Sequence, residues 1–106
     1  VLGDMAELGP ASDALHAAAG REAKSAGIDA LYALGTRAAQ AARAFGEAGQ
    51  CFETLDALVA ALCPRLTGRT TVLVKGSRSA RMERVVAAVL DSFPHTAGPV
   101  STEATR

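Results

Sequence analysis

The residues best suited to chemistry form a short run, Lys75-Gly76-Ser77-Arg78, which follows an apolar segment and precedes a helical pattern. Gly76 permits a tight turn or a close approach of backbone. The N–H groups of the first helical turn, together with Lys75 and Arg78, suit a carboxylate or a phosphate. The plainer alternative is a strand–helix turn that Ser77 caps, with two solvated cations, and both interpretations stay open on these residues alone.

Asp4 is the second candidate, because it follows Gly3 at the end of a short apolar run. A carboxylate there suits a ribose hydroxyl, a substrate amine or a group near Mg²⁺, whereas the structural alternative is a cap on the following turn. Glu7 is expected to be a solvated loop residue. His16 lies in the first long helical pattern and is expected to be packed or at the surface rather than a ligand.

Spacing excludes several kinds of site. The chain has no G-x-x-x-x-G-K-[ST] phosphate loop and no G-x-G-x-x-G dinucleotide motif. Its Ser and His residues lack the arrangement of a nucleophilic triad. Cys51 and Cys63 have no metal-ligand spacing and are predicted to be free, buried thiols. We therefore predict neither a catalytic residue nor a metal site within this chain.

The elements that position these residues alternate along the sequence. Strands are predicted at 1–5, 28–34, 50–53 and 70–75, and helices at 12–26, 36–45, 55–62 and 79–91. Ser12 and Thr54 are predicted helix caps, and Gly20 indicates a close contact between helix and sheet. The buried stripe of the last helix is predicted to comprise Met82, Val85, Val86, Val89 and Leu90. Residues 1–92 are predicted to form the domain and 93–106 a flexible tail.

This alternation predicts an α/β fold, Rossmann-like, with a mostly parallel sheet and helices on both faces. In such sheets the ligand crevice lies at the carboxyl ends of the strands. The residues expected there are Asp4, Gly35-Thr36, Glu53-Thr54 and the 75–78 turn.

Composition limits the partners. Lys plus Arg and Asp plus Glu each number 11 in 106 residues, so no net charge attracts nucleic acid or anionic lipid. No apolar run reaches the roughly 18–20 residues of a membrane span, and no signal peptide is recognisable. The abrupt apolar start at Val1 is interpreted as that of an excised piece of a cytoplasmic protein.

Two motifs together carry a family resemblance. The first motif is Val1-Leu2-Gly3-Asp4-Met5, followed by Glu7-Leu8-Gly9 and His16. The second motif runs from Val72 to Arg78 and continues with Met82-Glu83. In order and spacing the chain resembles the C-terminal domain of the Mur ligase family, in its branch that joins D-alanyl-D-alanine to UDP-N-acetylmuramoyl-tripeptide. Ala6 and Ser79 depart from the residues usual in that branch. The first strand of the family's domain is expected to precede Val1.

The resemblance implies an enzyme of cytoplasmic peptidoglycan synthesis, and hence of cell-wall biogenesis, cell shape and cell division. ATP would phosphorylate the tripeptide carboxylate, and the dipeptide amine would attack the acyl phosphate. The resemblance places Asp4 on the nucleotide side and Lys75, Gly76, Ser77 and Arg78 beside the dipeptide. ATP and Mg²⁺ would be held mainly by a central domain outside this chain, so the chain alone is expected to be inactive.

Two alternatives stay open. One is a stand-alone nucleotide- or anion-binding α/β module, against which the abrupt start at Val1 argues. The other is a Mur ligase that adds a different amino acid, against which the Lys-Gly-Ser-Arg turn argues.

Overall fold

A computed structural model describes residues 1–6, 8–92 and 100–105. Five strands alternate with four α-helices, and short 3₁₀ turns at Gly9–Ala11, Cys63–Arg65 and Arg78–Ala80 join some of them. In chain order the elements are β1 (Leu2–Gly3), α1 (Ser12–Ser25), β2 (Leu31–Leu34), α2 (Ala39–Phe45), β3 (Gly49–Phe52), α3 (Leu55–Leu62), β4 (Val72–Ser77), α4 (Glu83–Ser92) and β5 (Val100–Thr105).

The strands form one sheet in the order β3-β2-β1-β4-β5, and every pairing is parallel. The chain first builds outward from β1 through β2 to β3, and then crosses to the other side of β1 for β4 and β5. The strand order therefore reverses between β1 and β4. A crevice at the carboxyl ends of the strands is expected at such a reversal.

The helices cover both faces of the sheet, which confirms the predicted fold class. On one face α1 and α2 pack on Leu2, Leu31 and Ala33, in a core that is otherwise mostly alanine. On the other face α3 and α4 pack on a core containing Tyr32 and Val74. Small side chains let the first pair of helices lie close to the sheet, while the larger residues lie opposite.

Capping follows the predicted pattern at one helix and departs from it at another. The Thr54 hydroxyl accepts a hydrogen bond from the Ala57 N–H at 3.2 Å, as predicted for the start of α3. Ser12 does not cap α1, because a 3₁₀ turn leads directly into the helix and Ala11 is the residue before it. The backbone turn thus begins α1 without a side-chain cap.

Gly20 packs against another helix rather than against the sheet as predicted. A Cβ atom at Gly20 would lie 2.8 Å from the Ala41 carbonyl carbon and 2.9 Å from its Cα. Both are backbone atoms of α2, so no rotamer change relieves the contact. The glycine therefore sets how closely α1 and α2 approach.

Three further predictions differ from the structure. Leu90 is 48% exposed, because it lies off the face of α4 that Val85 and Val89 bury. Cys51 is exposed on β3, although both cysteines are free as predicted. Residues 100–105 form β5, which pairs with β4 along its whole length, where no regular element was predicted.

The strand at 100–105 lacks hydrophobic periodicity and depends on backbone pairing, which a sequence pattern does not reveal. Residues 93–99 and 106 of the predicted tail lie outside the described residues. The domain boundary near residue 92 stays a prediction.

The Gly20 contact predicts that Gly20→Ala destabilises the chain, although alanine is the better helix former by about 1 kcal/mol. Overpacking against the α2 backbone should lower the free energy of unfolding by about 1–3 kcal/mol, measured by urea denaturation. Ser25→Ala, at an exposed site of the same helix, is the control and should be nearly neutral. A Gly20→Ala variant as stable as the parent chain would contradict the contact.

Candidate functional site

A cavity of about 460 Å³ opens at the carboxyl ends of the first four strands. Its lining comes from the segment after each strand: Asp4 and Ala6 after β1; Leu34, Gly35 and Arg37 from β2; Glu53, Thr54 and Leu55 after β3; and Ser79, Ala80 and Arg84 after β4. The cavity therefore lies where parallel α/β sheets bind ligands. Its polar lining carries both charge signs, which suits a ligand with anionic and hydrogen-bonding groups.

Asp4 lies on the wall of the cavity, but it also has a structural task. Its Oδ1 accepts a hydrogen bond from the Ala38 N–H at 2.7 Å, at the start of α2. Its backbone carbonyl accepts from the Ser77 N–H at 3.1 Å. Asp4 thus joins β1 to α2 and to the end of β4, so the capping alternative and the ligand alternative are compatible in this geometry.

Ser77 is buried, with 2% of its surface exposed. Its hydroxyl does not cap the following 3₁₀ turn, as the plainer of the two interpretations required, but accepts a hydrogen bond from the Ala6 N–H. The side chain therefore ties the 75–78 turn to the loop after β1. While it accepts this bond, the hydroxyl keeps its own O–H as a hydrogen-bond donor.

The predicted turn as a whole lies beside the cavity rather than in its lining. Lys75, Gly76, Ser77 and Arg78 are all absent from the lining residues, whereas Asp4, from the other motif, is one of them. Lys75 is half-buried and Arg78 is exposed. The structure thus joins the two motifs through Ser77 and leaves the cations of the turn at a neighbouring surface.

Gly76 and Gly3 are adjacent glycines of β4 and β1 that make room for one side chain. A Cβ at Gly3 would lie 2.8 Å from Met82 Cγ, and one at Gly76 would lie 2.7 Å from the same atom. Met82 is 3% exposed. It therefore packs against both strands just below the cavity, which explains why glycine precedes Asp4 and Ser77 in the two motifs.

His16 is fully buried and holds the loop between β1 and α1. Its Nε2 lies 2.9 Å from the Met5 N–H and accepts its hydrogen bond, while Nδ1 lies 2.7 Å from the Ser12 carbonyl oxygen. Of the two expected placements, packed or at the surface, the structure shows the packed one. Its contact with the loop that carries Asp4 was not foreseen, because the partner is a backbone N–H.

Arg37 and Arg84 are cavity residues that the sequence did not single out. Arg84 folds back on its own turn, donating from Nε to the Arg81 carbonyl at 3.0 Å and from Nη2 to the Ala80 carbonyl at 3.3 Å. Arg81 has φ 53°, a left-handed conformation uncommon outside glycine. Glu53, by contrast, follows β3, and the rule that ligands bind at strand ends identified it from the sequence.

No cluster of metal ligands and no membrane-spanning helix is found in residues 1–6, 8–92 and 100–105. There, no group of three or more His, Cys, Asp or Glu side chains is arranged to hold a metal ion. Among the described helices, none has the length and apolar character needed to cross a membrane.

Comparison with known proteins adds relatives to this geometry. Residues 1–78 match the family described as "Mur ligase, glutamate ligase domain". The UDP-N-acetylmuramoyl-tripeptide–D-alanyl-D-alanine ligase of Escherichia coli K12 is 43% identical over 94 residues, which are 87% of this chain and 21% of that protein. The protein of the same name from Buchnera aphidicola is 36% identical over 88 residues, which are 81% of this chain and 19% of that protein.

No solved structure matches the chain. The chain spans about a fifth of the length of these curated relatives. The matched region contains β1 to β4, the loops that supply most of the cavity lining, Asp4 among them, and the neighbouring 75–78 turn. On this family match and the identity to both relatives, the chain belongs to the Mur ligase family, as a glutamate ligase domain.

Proposed function

We propose that the full-length protein is an ATP-dependent ligase that joins D-alanyl-D-alanine to UDP-N-acetylmuramoyl-tripeptide in the cytoplasm. The product would be a peptidoglycan precursor, which links the protein to cell-wall biogenesis, cell shape and cell division. The observation that carries the proposal is the 43% identity, over 94 residues, to a relative named for this reaction. The family match covers residues 1–78, which contain both Asp4 and the 75–78 turn.

The proposed reaction divides between this chain and the rest of the protein. An amide bond forms when the dipeptide amine attacks an acyl phosphate, and phosphate leaves. This chain has no phosphate loop, so no phosphoryl-transfer step is assigned to its residues. Mg²⁺ would likewise be held mainly by the rest of the protein. The chain's own contribution is to bind and orient substrates.

We assign the two sides of the joined motifs to different substrates. Asp4, on the cavity wall, faces the nucleotide. The 75–78 turn, at the neighbouring surface, holds the dipeptide through its cations and backbone N–H groups. The hydrogen bond from the Ala6 N–H to the Ser77 hydroxyl holds the nucleotide side and the dipeptide side in a fixed position relative to each other. Closure of this lobe on the nucleotide would exclude water from the acyl phosphate.

The proposal predicts which amine the full-length protein uses. Release of phosphate should require ATP, UDP-N-acetylmuramoyl-tripeptide and D-alanyl-D-alanine together, with formation of the amide product by mass spectrometry. The chain of residues 1–106 alone should form no product. Efficient use of a single amino acid in place of the dipeptide would contradict the proposed substrate.

The role of the turn predicts a selective effect of Ser77→Ala. Removing the hydroxyl leaves the Ala6 N–H without its partner, which costs about 1–3 kcal/mol and loosens the turn. The KM for D-alanyl-D-alanine should rise about fivefold or more. The KM for ATP should change less, because the Asp4 carbonyl keeps its bond to the Ser77 N–H.

Ser92→Ala is the matched control for Ser77→Ala, since Ser92 donates to Ala88 on the exposed end of α4. It should leave both constants unchanged. Equal rises in the two KM values for Ser77→Ala, or no rise in either, would refute the assignment of the turn to the dipeptide.

Asp4 should show the opposite selectivity. Asp4→Asn removes the charge but keeps an oxygen that accepts from the Ala38 N–H, so the local fold should survive. We expect the KM for ATP to rise about fivefold or more and the KM for the dipeptide to stay nearly constant. Asp4→Ala, which loses the structural bond as well, should also lower the melting temperature. An Asp4→Asn enzyme with parental ATP kinetics would rule out the nucleotide role.

A further inference from the structure

The loop after β1 is held by hydrogen bonds to three different elements. Asp4 bonds to the starts of both α2 and the turn after β4, and Ala6 bonds to Ser77. The Met5 N–H, between them, donates a hydrogen bond to Nε2 of His16 on α1. Through this imidazole α1 holds the middle of the loop.

The two hydrogen-bond partners of the His16 ring determine which of its nitrogens carries the proton. The Ser12 carbonyl oxygen can only accept, so Nδ1 carries the proton that bridges their 2.7 Å separation. Nε2 then has a lone pair directed at the Met5 N–H. Ser12 Oγ lies 3.4 Å from Nδ1 and does not change this assignment. The geometry requires a neutral imidazole with its proton on Nδ1.

Burial makes this bond consequential. His16 is 0% exposed and the Met5 bond to it is part-buried, so loss of the Nε2 acceptor leaves a partly buried N–H without its partner, which costs free energy. The residues on either side of Met5, Asp4 and Ala6, both line the cavity. Release of Met5 therefore loosens the cavity wall from its middle.

We propose that His16 is a positioning residue, which holds the Asp4–Ala6 loop against the cavity through the acceptor Nε2. It touches neither substrate nor reacting atoms. The inference deepens the proposed function and rests on it for the kinetic readout, because the loop links the nucleotide side to the dipeptide side. Its effect on the loop itself is independent of which reaction the protein catalyses.

Three substitutions in the full-length protein distinguish the effect of losing the Nε2 acceptor from the effect of changing the volume of the ring. His16→Gln places an amide oxygen near the position of Nε2 and keeps an acceptor for Met5. His16→Asn reaches only to the position of Nδ1 and leaves Met5 without a partner. His16→Met approximates the size of the ring and offers only a weak acceptor. If His16 only fills space, the Met variant should behave most like the parent protein. If His16 positions the loop, the Gln variant should do so.

The first readout is amide hydrogen exchange at Met5, Ala6 and Ala38, whose N–H groups make the bonds of the loop. In the Asn and Met variants exchange at Met5 should accelerate about tenfold, with smaller increases at Ala6 and Ala38. The Gln variant should stay close to the parent. Exchange unchanged at Met5 in all three variants would overturn the proposal, as would a Gln variant no better than Met.

The second readout is kinetic. The Asn and Met variants should raise the KM values for both ATP and the dipeptide about threefold to tenfold, with kcat changed less, and Gln should restore both. Accelerated exchange with unchanged KM values would overturn the positioning role. If the parent enzyme forms no amide product, the proposed function fails, while the exchange pattern still decides whether His16 positions the loop.

Discussion

The central constraint of this domain is the shortness of β1. Only Leu2 and Gly3 have strand geometry, although β1 lies in the middle of the sheet and leads directly into the cavity wall. So short a strand cannot position the loop that follows it by sheet hydrogen bonds alone. Side-chain and backbone ties from α1, α2 and the end of β4 do so instead. The loop on the cavity wall is therefore held by hydrogen bonds from α1, α2 and the end of β4.

Close packing beneath the loop makes those ties possible. Gly3 and Gly76 leave space for Met82, and Gly20 lets α1 approach the α2 backbone. Each glycine lies where a larger residue would move an element that contributes a tie. In a core rich in alanine, no long side chains can adjust when a helix or strand shifts slightly. The same packing therefore determines both the stability of the domain and the geometry of the site.

The sequence predicted the α/β order, the parallel sheet and the end of the sheet where the cavity lies, because these follow from periodicity and from one topological rule. It placed Asp4 and Glu53 correctly at strand ends. It did not predict the ties of Ser77 and His16, whose partners are backbone N–H groups distant along the chain. Nor did it predict the cavity position of Arg84, which depends on the left-handed turn at Arg81. Pairing of β5 was missed because edge addition depends on open backbone groups rather than on a hydrophobic pattern.

The composition of the core has an optical consequence. Tyr32 is the chain's single tyrosine, and tryptophan is absent. Its ring is 4% exposed and is stacked on Phe52 with the centroids 6.0 Å apart, and its hydroxyl has no hydrogen-bond partner among the described residues. The near-ultraviolet signal of this chain therefore comes almost entirely from one fixed ring on the α3 side of the sheet. A change in this signal would therefore report loosening of the core that contains Tyr32.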